Sequence, residues 1–128
     1  MEKVEHIPNE DYVLRRINPG QHNDGKLDST AFDDRYNEPS VYWEKIASID
    51  KIVATNPPFD FFLRLKVGDI REKGHNVVHR PDEEHGDDSH CVIIPADGRW
   101  TRSKKYGLVG RGIAPITGER VDLPVRGQ

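Results

Sequence analysis

A chain of 128 residues supports one domain with a modest core. Its 34% hydrophobic and 32% charged content set that core against a large share of loop, and a formal net charge of −3 excludes a duplex-DNA binder built on a uniformly basic surface. No apolar run approaches the roughly 18 residues of a membrane span. The first residues, MEKVEHIPNEDY, carry no apolar signal core, so nothing directs export. The single cysteine excludes an intramolecular disulfide and fits a reducing compartment, so a cytoplasmic location without membrane contact is expected.

Charge divides the chain unevenly. Residues 1–97 hold 12 Lys/Arg against 20 Asp/Glu, a net −8, whereas residues 98–128 hold 7 against 2, a net +5. The expected organisation is a flexible N-terminus over 1–10, an α+β domain over 11–97 and a basic, Gly-rich C-terminal extension over 98–128.

In chain order, Tyr12 to Ile17 reads as a strand by composition, stopped by the Asn18-Pro19-Gly20 turn signal. Strand periodicity puts Arg15 on the face of Val13 and Ile17, and Arg16 on the face of Tyr12 and Leu14. Whichever face is buried, one arginine points towards the core and needs a partner: a buried carboxylate, or a bound anion. Lys26 to Phe32 is a second strand with Leu27, Ser29 and Ala31 on one face. Tyr42, Ile46, Ile49 and Val53 recur at helical spacing, which predicts a helix from about Val41 to Ala54, capped by Ser40 and ended by Asn56-Pro57-Pro58. The alternative is that Ser40 to Trp43 is a strand and the helix begins later.

Phe61, Leu63, Leu65 and Val67 alternate with Phe62, Arg64 and Lys66, the two-residue period of a half-buried strand. Phe62 is expected at its exposed or rim end. Gly68-Asp69 turns into a short helix, with Asp69 as its cap and Gly74 as its stop. Asn76 to Val78 and Cys91 to Ile94 are two further strands, joined by the exposed polar loop RPDEEHGDDS. These elements predict a single α+β domain: a small mixed or antiparallel sheet of four to six short strands, with one main helix packed on it.

Imidazole and thiolate are ordinary zinc ligands, and His75, His79, His85, His90 and Cys91 crowd this region. In a strand, His75 and His79 lie about 13 Å apart at about 3.3 Å per residue. The candidate metal set is therefore His79 with His90 across the hairpin, completed by His85 or a loop aspartate. No structural metal and no cofactor are expected.

Three features together, LRRINP with Asp24-Gly25, Ser-Thr-Ala-Phe ending at Phe32, and Ser40-Val41 with a late His90, resemble a family of small bacterial domains with no assigned activity. The similarity covers residues 12–95 or so. A fainter resemblance, to RES-type and ADP-ribosyltransferase-like domains, implies Arg15 or Arg16 on a phosphate and Ser29 and Tyr42 beside a nicotinamide. A placed carboxylate and a phosphate-cradling glycine loop are missing from that pattern.

The leading expectation is a non-catalytic interaction or accessory protein of a bacterial multi-component system, such as a defence or toxin–antitoxin locus. It would bind a protein partner through a polar pocket and through Trp100, Arg102, Lys104, Lys105, Tyr106 and Arg111 of the extension. The alternative is a small nucleotide- or NAD-directed enzyme, with Arg15 or Arg16 as anion clamp, Ser29 beside them and His90 as general acid/base. No nucleophile–base pair is visible in the sequence. A third reading has the basic aromatic stripe of the extension contact nucleic acid.

Overall fold

The computed structural model describes residues 5–20, 22–23, 26–27, 38–95 and 119–123. The run Tyr12–Ile17 forms β1, flanked by β4 (Ser40–Trp43) on one side and β5 (Phe61–Lys66) on the other. With β6 (Asn76–His79), β7 (His90–Ile94) and β8 (Glu119–Asp122) these make a six-stranded sheet in the order β6-β7-β4-β1-β5-β8. Every neighbouring pair is antiparallel. A separate two-stranded ladder joins β2 (His22–Asn23) to β3 (Lys26–Leu27). Among the described residues two short helices complete an α+β domain: α1 (Ile49–Thr55) and α2 (Val67–Glu72).

Both faces of the sheet are buried. Strand alternation sends Val13, Ile17, Val41, Trp43, Phe61, Leu63, Leu65, Val77, Cys91 and Ile93 to one face, where Val67 and Ile70 of α2 and Ile7 of the N-terminal segment cover them. Leu14, Tyr42 and Phe62 point to the other face, against Ile52 of α1 and Phe59. Phe62 is thus fully buried rather than at a rim. Its neighbours Arg64 and Lys66 made that face look solvated, but α1, the Phe59 ring at 5.0 Å and Val121 of β8 close over it.

The expected helix over Val41–Ala54 gives way to its alternative. Val41, Tyr42 and Trp43 are buried in β4, paired on one side with β1 and on the other with β7. Tertiary pairing of a β-branched and aromatic run overrides the helical period here. Ile46, a member of that period, is instead an exposed apolar residue. Helix α1 is capped by Ser48, whose hydroxyl accepts from the Lys51 N–H, and is followed by Asn56 in an extended conformation, as the next proline demands. In α2 the cap position is Lys66, and Asp69 lies in the first turn. Gly74, at φ 89°, supplies the left-handed stop expected of it. Gly68 permits a close approach, since a Cβ there would lie 2.9 Å from the Asn9 carbonyl oxygen that accepts from the Gly68 N–H.

The extension contributes to the sheet. Glu119–Asp122 pairs with Phe61–Arg64 as an edge strand, so the domain's ladder continues beyond residue 97. Ser29 and the remainder of its expected strand after Leu27, together with Trp100, Arg102, Lys104, Lys105, Tyr106 and Arg111, lie outside the described residues.

Two stability measurements check this arrangement. Phe62→Ala should lower the urea-derived unfolding free energy by about 3–5 kcal/mol, the cost of removing a core phenylalanine; a change below about 0.5 kcal/mol, as at a surface site, would contradict two-sided burial. Deleting residues 119–128 bares the β5 edge and should lower the thermal midpoint, whereas an unchanged midpoint would show that β8 adds nothing to the fold.

Candidate functional site

The period of two in β1, β4 and β7 carries Arg16, Ser40, Tyr42 and His90 to the same face of the sheet, beside α1. Lys51 and Thr55 of α1 and the capping Asn56 form one wall of the resulting cleft, and Asp82, His85 and Asp87 of the β6–β7 loop form its rim. The cleft encloses about 160 Å³.

Its floor holds a directed hydrogen-bond chain. His90 Nδ1 lies 2.8 Å from the Arg80 carbonyl oxygen, which can only accept, so Nδ1 carries the proton. In the neutral ring Nε2 is then an acceptor, and Ser40 Oγ, 3.1 Å away, donates to it. A hydroxyl aimed at an imidazole lone pair, with the ring oriented from behind by a third group, is the arrangement that activates an oxygen nucleophile. The pair joins positions 50 residues apart, which is why the sequence showed no nucleophile–base pair.

The two arginines of β1 part ways. Arg15 is buried on the opposite face and donates from one terminal nitrogen to the Ser40 carbonyl oxygen at 2.9 Å. Arg16 is partly buried in the cleft, with its guanidinium carbon 5.8 Å from the Phe59 ring centroid. Among the described residues it makes no hydrogen bond or ion pair. The Tyr42 hydroxyl, on a residue only 5% exposed, likewise has no hydrogen-bond partner there. Two donors that border the cleft are therefore unsatisfied by described residues.

The rim is tied down. Lys51 Nζ donates to the Gly86 carbonyl oxygen, linking α1 to the loop. Asp87 accepts from both the backbone N–H and the hydroxyl of buried Ser89. Asp82 accepts from the His85 N–H and meets His85 Nδ1 at 2.8 Å. That hydrogen bond, reinforced by the carboxylate's charge, raises the exposed His85 imidazole above its ordinary range. For Asp82 desolvation acts upward, but the hydrogen bonds and charge of His85 prevail and hold the carboxyl below its usual range.

The expected metal set does not assemble. His79 pairs in register with Cys91, so it faces the Trp43 side, whereas His90 faces the cleft on the other side of the sheet. His79 is also engaged: Nδ1 accepts from the Glu5 N–H, and Nε2 lies 2.6 Å from the Asp88 carbonyl oxygen. Asp82, Glu84 and His85 bring ligand-type atoms within 4.8 Å of one another, and two of the three, Asp82 and His85, already bond each other. Burial pushes the Cys91 thiol up to about 12, so it offers no thiolate for metal or nucleophilic chemistry.

Of the sequence candidates, Arg16 and His90 meet in the cleft, while Arg15 and His79 are directed to the opposite face. Sequence reasoning took Ser40 for a helix cap and passed over Lys51 and Asn56. The alternative reading of Ser40–Trp43 as a strand puts Ser40 and Tyr42 on one face, but their meeting with His90 rests on the register between β4 and β7. No protein-family model, curated protein or solved structure matches the chain, so the site stands on its own geometry. Among the described residues no helix is long and apolar enough to cross a membrane.

The Asp82–His85 contact gives a pH prediction. The raised His85 contributes stability that is full below the ordinary imidazole value of 6.5 and is lost as pH rises through the raised value. The lowered Asp82 contributes above the ordinary carboxyl value of 3.8 and fails as pH falls through the lowered one. The loop is therefore tied most firmly between those two ordinary values. In an NMR titration Asp82→Asn should return the His85 midpoint towards 6.5; an unmoved midpoint would remove the contact.

Proposed function

We propose that this protein is an interaction domain whose cleft receives an anionic group, of carboxylate or phosphate size, presented by a protein partner. The observation that carries the reading is Arg16. A guanidinium drawn partly out of water while its donors find no acceptor among the described residues loses hydrogen bonds worth about 1.5–3 kcal/mol each when made to a charged group. An incoming oxyanion restores them, and the planar fork suits a carboxylate in two-point contact. The Tyr42 hydroxyl, which makes no hydrogen bond to the described residues, adds a second donor at the same cleft.

Size and charge narrow the occupant. Pockets that hold whole cofactors run to roughly 300–1,000 Å³, and this cleft is about 160 Å³. A dinucleotide would overfill it, so the reading assigns one small group rather than NAD. Arg16 and Lys51 bring two positive charges to the cleft and Asp82 and Asp87 at the rim two negative ones, so a highly charged polymer is disfavoured as partner. An accessory role in a reducing, cytoplasmic setting goes with this reading, and the single cysteine, free and buried, is compatible with it.

Titration with acetate and, separately, inorganic phosphate, followed by NMR shifts, tests the reading. Saturable binding at about millimolar strength is expected for one small group. Arg16→Gln should weaken it about tenfold or more, the equivalent of one lost charged hydrogen bond. Equal affinity in the variant, or no saturable shift with either anion, would sink the proposal.

A further inference from the structure

We infer that Ser40 is a nucleophile activated by His90, and that the cleft turns over small esters whose acyl part carries a negative charge. The charge preference rests on the anion-binding reading above; the Ser40 chemistry does not. Ser40 lies one strand away from His90 and two residues out of register with it, since Tyr42 pairs with His90 and Ser40 with Val92. That diagonal on one face brings Oγ to 3.1 Å from Nε2. The Arg80 carbonyl holds the opposite ring nitrogen at 2.8 Å, so the lone pair facing the hydroxyl is fixed by the backbone. Both side chains line the cleft rather than the sealed core.

The remaining requirement is a donor for the oxygen that gains charge during attack. The Tyr42 hydroxyl and the Arg16 guanidinium border the same cleft and make no hydrogen bond to described residues. One can meet the developing oxyanion while the other holds the substrate's own anionic group. Cys91, the other intrinsic nucleophile nearby, is excluded by burial and its raised thiol.

The chemistry balances without any added reagent. As Ser40 Oγ bonds to the ester carbonyl carbon, its proton passes to His90 Nε2. The tetrahedral adduct collapses, the carbon–alkoxy bond breaks, and Nε2 returns the proton to the departing oxygen. Water then repeats the sequence. Its oxygen bonds to the acyl carbon as a proton moves to Nε2, the Oγ–carbon bond breaks, and Oγ regains the proton.

The experiment uses p-nitrophenyl acetate and the mono-p-nitrophenyl ester of succinate, with nitrophenolate release followed by absorbance. Intact and peptide mass analysis locates any acyl group. The expected result is an adduct on Ser40 with both esters, faster with the succinate. Ser40→Ala should abolish the adduct and return hydrolysis to background. His90→Gln should slow Ser40 acylation about 10²–10⁴-fold, the usual contribution of a general base. Arg16→Gln should erase the preference for the succinate ester, read as the ratio of the two esters' rates within that variant. Mass analysis of the unsubstituted protein decides the matter even if a variant fails to fold. No Ser40 adduct with either ester, or release that persists in Ser40→Ala, overturns the inference. Saturable acetate binding without an adduct overturns it while leaving the anion reading intact. An adduct with no succinate preference overturns the substrate class.

Discussion

The constraint on which the rest depends is that β1 and β5 are buried on both faces. Val13 and Leu14, consecutive in β1, are 0% and 1% exposed, and Phe61 and Phe62 in β5 are 1% and 0% exposed. A strand with one solvated face can carry charge there at little cost, but a strand covered on both sides must account for every polar group it holds. This central pair therefore fixes where α1 and α2 must lie, one on each face, and what the arginines between them can do.

Three arginines show the consequences. Arg64 meets Glu44 through two nitrogens, at 2.6 and 3.0 Å, and its guanidinium carbon stacks 3.6 Å from the Tyr12 ring centroid. Arg15 reaches the Ser40 carbonyl across the sheet. Among the described residues Arg16 meets the edge of the α1 layer, where Phe59 lies beside it and the cleft opens. The polar cleft thus arises where the apolar cover of the second face runs out between α1 and the β6–β7 loop. Rigid strands supply Arg16, Ser40, Tyr42 and His90, while the loop is fastened by Lys51 to Gly86 and by Asp82 to His85. Side chains on paired strands beneath a fastened loop give the cleft a fixed geometry.

The opposite face shows a different economy. Arg71 of α2 donates to the Ile7 carbonyl, to Asn9, to Asn76 and to the Val77 carbonyl. One side chain thereby binds the N-terminal segment, a helix and the β6 edge strand into a single layer. Gly68 allows the same segment to lie against α2 at backbone distance. The edge carbonyl of Val77 and the buried Ile7 are both accounted for by this contact, which limits the open hydrogen-bonding surface of β6.

Much of the fold was legible in the sequence wherever a local pattern sufficed. The alternation in Tyr12–Ile17 and Phe61–Lys66, the hairpin of β6 and β7, the glycine stop at Gly74 and the Asn56-Pro57 helix end each follow from backbone preferences acting over a few residues. The sequence also required that one arginine of β1 seek a partner. Which arginine, and on which face, depended on the cover that α1, α2 and β8 bring from distant positions. Ser40–Trp43 became a strand because β1 and β7 were there to pair with it, against its own helical spacing. The Ser40–His90 pair and the separation of His79 from His90 rest on inter-strand register, a property of two chain segments together. Periodicity determines which residues of a strand share a face; only the assembled sheet determines which faces meet, and that decided the site.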